Sequence, residues 1–250
     1  MIALNFKPPV IAHRGASAYA PENTLAAFVK AAQMGAKWVE FDVMLSADGT
    51  SIIFHDESLD RTTNGRGNPG QYDYSYLRTL DAGSWFGHIF ADERIPTLLS
   101  VVEFLQSVNV SANIEIKPLP GQDEQLVKTV LQQMRPYLAK GRSTFLFSSF
   151  SIDALRFLRR CSADCLIGLL MHEWLTDWQA LADDLKCASL HVNHEILTRH
   201  NTQKIKETGR AVLAYTVNEP LQALEFYSWG GDAVFTDVPD KILAALQDRK

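Results

Sequence analysis

The sequence predicts a (β/α)8 barrel with an antiparallel hairpin after its second strand and a small insertion behind that hairpin. Two observations carry this fold class. Short β-branched runs alternate with amphipathic runs of helical length along almost the whole chain, the pattern of a parallel sheet covered by helices. Nine candidate strands are visible, and one of them reads as a hairpin return, which leaves eight strands for eight helices. A doubly wound open sheet is the alternative, but eight regular units close more naturally. At 250 residues the chain has the length of a single barrel. At this size folding buries roughly three quarters of the unfolded chain's surface, so neither disulfides nor a structural metal is required for stability.

Candidate strands cover residues 10–13, 38–45, 51–54, 113–117, 144–148, 165–170, 189–193, 211–217 and 233–236. Only Ser46-Ala47-Asp48-Gly49-Thr50 separates the second from the third. A parallel pair needs a crossover of roughly a dozen residues or more, whereas Asp-Gly between apolar runs is a hairpin turn. Residues 51–54 should therefore run back beside the second strand. Candidate helices begin near Asn23, Thr97, Asp123, Ser151, Leu175, Thr198, Pro220 and Pro239. Asn23 reads as an N-cap just after Pro21. Leu126, Val127, Val130, Leu131 and Met134 form an apolar stripe on the third helix, which Pro136 should end or kink. Residues 57–94 break the rhythm, with Asn, Gly, Asp and Tyr in excess, and read as an insertion within one domain spanning 1–250.

The net charge of −5 and a pI near 5.8 argue against a broad nucleic-acid surface. No run of about 18 uncharged apolar residues occurs, so no spanning helix is expected. The N-terminal stretch MIALNFKPPV lacks the features of a secretory signal. Cys161, Cys165 and Cys187 fit reduced thiols in a cytoplasm, with Cys161 and Cys165 read as small buried apolar residues.

Barrel active sites lie at the C-terminal ends of the strands, so polar residues there are informative. The first strand ends Ala12-His13-Arg14-Gly15, a base and a cation followed by a glycine that allows close approach of an anion. Taken alone, His-Arg-Gly is a weak signal, and His13 more often reads as a hydrogen-bonded strand-end histidine. Glu40 and Asp42 share one face of the second strand while Val39, Phe41 and Val43 take the other. Two inward carboxylates need a divalent cation or a basic partner. Glu115 and Lys117 repeat the pattern on the neighbouring parallel strand. Three inward carboxylates resemble an oxygen-ligand site for a hard cation, Mg2+ or Ca2+. The hairpin return ends Phe54-His55-Asp56 and brings a second histidine toward the same site. Three carboxylates and one divalent cation leave one negative charge, a phosphodiester adds another, and Arg14 and Lys117 cancel both. Two histidines can then remove a proton from a nucleophile and return one to a leaving alcohol.

The set His13-Arg14, Glu40-x-Asp42, His55-Asp56 and Glu115-Ile-Lys117 resembles the signature of the glycerophosphodiester phosphodiesterase family. The likeness continues at Ala20-Pro21-Glu22-Asn23-Thr24, Gly83-Ser84-Trp85-Phe86, Ile95-Pro96-Thr97-Leu98, Ser148-Ser149-Phe150, Tyr215-Thr216-Val217-Asn218 and Phe235-Thr236-Asp237. It covers nearly the whole chain in order, and length and N-terminus look most like cytosolic bacterial members. The resemblance implies a TIM-type barrel with a small capping insertion. It implies hydrolysis of a deacylated phospholipid to sn-glycerol 3-phosphate and an alcohol. By the same resemblance Glu40, Asp42 and Glu115 hold the metal, His13 and His55 are the acid/base pair, and Arg14 and Lys117 contact the phosphate. Many members carry Trp where Tyr215 stands, and Glu where Leu99 and Ser100 stand. Trp85 and Tyr215 are expected to contact substrate.

The resemblance favours attack by the substrate's own 2-hydroxyl, giving a cyclic phosphate, over direct attack by water. The residues do not choose between these routes, nor between the histidines as base and acid. One divalent cation is expected, Mg2+ ahead of Ca2+ because of its abundance in a cytoplasm. The expected partner is a small glycerophosphodiester, with no nucleic acid and no stable membrane insertion; oligomeric state is not legible. Two other functional readings stand beside this one: a lysophospholipase D-like phosphodiesterase on the same barrel, and a phosphate-ester-binding barrel without catalysis. A third possibility is that the inward charges are purely structural. Tyr72 and Tyr74 read as a satellite core inside the insertion, His191 and His194 as structural or substrate-adjacent, and His88, His172 and His200 as surface or loop residues.

Overall fold

The computed structural model describes residues 4–140 and 143–248, so the first three residues of the N-terminal stretch lie outside the described residues. Nine strands occur among them: β1 (Val10–His13), β2 (Trp38–Leu45), β3 (Ser51–Ile53), β4 (Ser111–Ile116), β5 (Phe145–Ser149), β6 (Leu166–Met171), β7 (Ser189–Asn193), β8 (Ala211–Tyr215) and β9 (Ala233–Thr236). Eight of them are parallel and pair in the order β1-β9-β8-β7-β6-β5-β4-β2, and a β1–β2 pairing closes the ring. This is a (β/α)8 barrel. The strand β3 stands outside the count, antiparallel to β2 with Val43 opposite Ile53 and Leu45 opposite Ser51. It can do so because β1 covers only Trp38–Glu40 of that edge, and the end of β1 leaves the upper part of β2 open.

The helices are α1 (Leu25–Gln33), α2 (Tyr74–Leu77), α3 (Leu98–Val108), α4 (Asp123–Lys140), α5 (Ile152–Cys161), α6 (Trp178–Asp184), α7 (Arg199–Glu207), α8 (Pro220–Ser228) and α9 (Pro239–Gln247). Side chains of Thr24, Thr97, Ser151 and Thr198 cap α1, α3, α5 and α7 by accepting a backbone N–H of the first turn. The cap of α1 is thus Thr24 and not Asn23. Asn23 sits one residue earlier at φ 58°, and its amide is committed to Asp42 at 2.9 Å. The helix α4 runs through Pro136 to Lys140. Pro136 costs it one bond, and the carbonyl left over belongs to exposed Gln132, where water can reach it. The helix α6 begins at Trp178, three residues beyond the expected start, because residues 172–177 are spent on the loop above β6. Cys165 is buried, but Cys161 is exposed, since the buried stripe of α5 ends at Leu158.

Alternation sorts the barrel residues cleanly. Val39, Phe41, Val43, Ala112, Ile114 and Ile116 point outward into the core shared with the helices. Inside, Phe6, Ile11, Trp38, Leu146, Leu213, Ala233 and Phe235 form an apolar plug, each large side chain contributing roughly 1.5–3 kcal/mol by burial. The plug excludes water from below and leaves the polar residues one layer higher facing the open end. A third cluster, Met44, Ile52, Phe54, Leu59, Leu77, Leu80, Ala82, Ile95 and Leu119, fastens the insertion to the hairpin, and Tyr72 and Tyr74 pack against it as expected.

Candidate active site

The registers place the inward carboxylates side by side. Glu40 lies opposite Asn113 and Asp42 opposite Glu115 across β2 and β4, and His13 lies opposite Glu40 across β1 and β2. One oxygen each of Glu40, Asp42 and Glu115 falls within 4.8 Å of the others, and the Glu40 and Asp42 side chains are almost wholly buried. Burial, then repulsion from Asp42 and from Glu115, pushes the Glu40 carboxyl well above its usual range. Burial and Asp42 push Glu115 up to about 8 against the pull of Lys117 and Arg14. Burial also works on Asp42, but Arg14, His55, Lys117 and the Asn23 amide outweigh it and hold that carboxyl below its usual value. Three buried acids that repel one another, with only oxygen donors, fit a hard divalent cation.

Arg14 follows β1 in the left-handed region at φ 54°. Its backbone N–H donates to Glu40 Oε2 at 3.0 Å, its Nη1 to Glu22 at 2.8 Å, and its Nε lies 3.6 Å from Asp42 without a hydrogen-bond partner. Gly15, at φ 83°, admits no side chain, since a Cβ would come within 2.6 Å of the Ala27 backbone. Lys117 Nζ is 3.8 Å from Asp42. Two cations, each one residue past the end of its strand, therefore flank the carboxylate cluster from β1 and from β4.

Both histidines arrive with one ring nitrogen engaged. His13 Nδ1 meets Asp237 Oδ1 at 2.7 Å and its Nε2 stands 4.0 Å from Glu40. His55 Nδ1 meets Asp56 Oδ1 at 2.6 Å. Burial raises the Asp237 carboxyl, but the hydrogen bonds from His13, Asn218 and Ser17 bring it to about 2. The hydrogen bonds of Arg61 hold Asp56 far below its usual value. Both carboxylates are ionised and can only accept, so each Nδ1 carries a proton and each Nε2 is left for other chemistry. Burial, with Arg14 and Lys117 nearby, lowers the His55 pKa.

These groups open on a cavity of about 330 Å3 lined by His13, Arg14, Glu40, His55, Asn113, Glu115, Phe150, Leu170, His172, Tyr215, Thr216 and Phe235. One wall is charged and the other is apolar, with Phe150 edge-on to Tyr215 at 6.1 Å between centroids. Tyr215 therefore reaches the cavity, and its hydroxyl is buried without a partner. Trp85 is not among the lining residues: its indole N–H donates to the Ala82 carbonyl within the insertion, and the residue is 40% exposed. His172 does line it, from the exposed loop above β6. His191 is buried, bonded to Ser189 at 2.9 Å and packed on Phe235. His194 Nδ1 faces the Tyr215 carbonyl at 3.4 Å. Asp56, Glu22 and Asp237 stand in the quoted motifs without a role of their own, and neither Arg61 nor Asn113 is a site candidate from the sequence. Asp56 and Asp237 directly follow recognised segments, and that adjacency was the available signal.

Among the described residues no helix is long and apolar enough to cross a membrane. Comparison with known proteins matches residues 13–241 to the Glycerophosphoryl diester phosphodiesterase family. The chain is 35% identical over 241 residues to a glycerophosphodiester phosphodiesterase of Caldanaerobacter subterraneus, covering 95% of this chain and 97% of that one. It is similar to the structure of an Oleispira antarctica phosphodiesterase in complex with the product sn-glycerol-3-phosphate, with a TM-score of 0.93 and 40% identity over 96% of this chain and 97% of the other. It also resembles the glycerophosphodiester phosphodiesterase of Thermotoga maritima, with a TM-score of 0.77 and 27% identity over 94% and 97% of the two chains. With a barrel of this topology and a match over nearly its whole length, the chain belongs to the glycerophosphoryl diester phosphodiesterase family.

Proposed function

We propose that this chain hydrolyses glycerophosphodiesters to sn-glycerol 3-phosphate and an alcohol, as one catalytic domain over residues 1–250 with its insertion at 57–94. The observation that carries this reading is the convergence of three buried carboxylates, two cations and two carboxylate-oriented histidines on one cavity. The product held by the Oleispira antarctica relative supports the substrate class.

Glu40, Asp42 and Glu115 are the residues that would hold a divalent cation, Mg2+ ahead of Ca2+, and a cytoplasmic setting would supply Mg2+ in excess. When bound it supplies Lewis acidity at a phosphoryl oxygen and neutralises the carboxylates. Arg14 and Lys117 bind the phosphate oxygens. Nε2 of one histidine takes the proton of the attacking hydroxyl, and Nε2 of the other gives a proton to the departing alcohol. Asp237 and Asp56 keep both rings in the tautomer that this needs. In the route we favour, the glycerol 2-hydroxyl forms the new O–P bond as the bond to the alcohol breaks. Water then opens the cyclic phosphate with the histidine roles reversed. The apolar wall of Phe150, Leu170 and Tyr215 packs against uncharged parts of the substrate.

The test is release of sn-glycerol 3-phosphate from glycerophosphocholine and glycerophosphoethanolamine with EDTA, then with Mg2+ or Ca2+, in the wild type and in Glu115→Ala. Cation-dependent release that disappears in the variant is expected; no release with either ion from folded protein would overturn the assignment. A substrate lacking the 2-hydroxyl is expected to resist turnover, and its hydrolysis at an unimpaired rate would exclude the cyclic route. A second reading, action on lysophospholipids, draws on Phe150, which lines the cavity yet is 48% exposed. Choline release from lysophosphatidylcholine micelles at a rate exceeding that from glycerophosphocholine would favour it.

A further inference from the structure

We propose that Arg61, carried on the insertion, is a positioning residue that holds His55 and Arg14 in place relative to one another. This rests on the reading that His55 moves a proton and Arg14 binds the phosphate. The guanidinium of Arg61 spans two carboxylates. Its Nε donates to Asp56 Oδ2 at 2.6 Å and its Nη2 to Asp56 Oδ1 at 2.9 Å. Its Nη1 donates to Glu22 Oε2 at 2.7 Å and its Nη2 to Glu22 Oε1 at 2.8 Å. Each carboxylate then touches one working side chain through an oxygen that Arg61 already holds. Asp56 Oδ1 meets His55 Nδ1 at 2.6 Å, and Glu22 Oε1 accepts from Arg14 Nη1 at 2.8 Å.

The result is a continuous row, His55–Asp56–Arg61–Glu22–Arg14, built from the segment after β1, the end of the hairpin and the insertion. Four N–H groups in one plane make it possible, a geometry that the single ammonium of a lysine does not reproduce. Without Arg61, two ionised carboxylates would lose the cation between them and repel each other. Asp56 would then turn from His55, and Glu22 would pull on Arg14 alone. An ordinary surface salt bridge contributes little and would leave chemistry untouched. Arg61 is about half exposed, so its removal opens no core cavity and is compatible with folding.

The experiment is steady-state kinetics with glycerophosphocholine at saturating Mg2+ on Arg61→Ala, Asp56→Asn, Glu22→Gln and the two double variants containing Arg61→Ala, with thermal unfolding of each. Arg61→Ala is expected to lower kcat by roughly tenfold to a hundredfold and to raise KM as well, since a misplaced group costs that much. On the Asp56→Asn background its effect on kcat should vanish, and on the Glu22→Gln background its effect on KM should vanish, because the link through which it acts is already broken. Arg61→Lys should stay impaired. The proposal is overturned if Arg61→Ala stays within about twofold of wild type, if its effects multiply in full on both backgrounds, or if the loss equals the unfolded fraction. His55→Ala separates the two levels. Wild-type turnover in that variant overturns the reading beneath the proposal. An inactive His55→Ala beside an unaffected Arg61→Ala overturns the proposal alone.

Discussion

Replacing Glu115 by Gln is expected to stabilise the protein when cations are removed with EDTA. Glu115 is buried beside Asp42, and its carboxyl is pushed from 4.5 to about 8. A carboxyl whose pKa is raised on folding favours the folded state fully below the unfolded pKa, and that advantage is lost as pH rises through the folded pKa. Each unit is about 1.4 kcal/mol, so at pH 7 the folded wild type carries a penalty of roughly 3 kcal/mol at this one position. Glutamine has the same shape and no charge to desolvate. At this chain length, roughly 2–4 °C per kcal/mol converts the penalty into a Tm gain of about 6–12 °C. The assay is thermal unfolding of wild type and Glu115→Gln in EDTA from pH 5 to pH 8, then with Mg2+ or Ca2+. The wild type should lose stability relative to the variant as pH rises, and a cation should rescue the wild type more than the variant. A variant that melts at or below wild type in EDTA, with the same slope against pH, would refute the argument that these carboxylates are mutually strained.

Burial of His191 lowers its pKa from 6.5 to about 3, so stability held above pH 6.5 should fall by about 1.4 kcal/mol per unit on acidification toward 3; urea unfolding at pH 7 and 5 should show about 2 kcal/mol of this for wild type and little for His191→Gln. Gly168→Ala would put a Cβ 2.4 Å from Nε2 of His191, whose ring is held against Phe235. Overpacking there should cost about 1–3 kcal/mol, and an unchanged Tm would mean that this barrel layer has room to yield. His13→Ala and His55→Ala should each lose about two to four orders of magnitude in kcat, measured with glycerophosphocholine, and near-normal turnover in either would remove that residue from proton transfer.

The barrel was legible because its signals are local. Strand alternation and helix starts lie within a few residues of each other, and Asp48-Gly49 identified the hairpin without reference to the rest of the chain. What alternation does not settle is which neighbour takes a side chain outside the strands. Asn23 has the composition of a cap, but Asp42, on a different strand, takes its amide. Trp85 lies in a family-like motif, and its N–H donates to the Ala82 carbonyl three residues before it, outside the cavity lining. His172 looked like a loop residue and is one, but the loop stands over the cavity.

The same distinction runs through the site. Period-two alternation brought Glu40, Asp42 and Glu115 together on paper, since residues two apart on a strand must share a face and the register then follows from parallel neighbours. Nothing periodic links Asp237 to His13, 224 residues away, or Arg61 to Glu22, 39 residues away. Those pairs exist because the barrel closes and the insertion folds back over the first loop. The three carboxylates proposed to hold a cation are thus written into strands, where alternation fixes direction, and Arg14 and Lys117 each follow directly on a strand end. The groups that orient the histidines are contributed by loops, where only tertiary closure does so. A chain of this design can change its insertion and keep its carboxylates, yet lose the alignment of a histidine, which is why Arg61 is the place to separate assembly of the site from its chemistry.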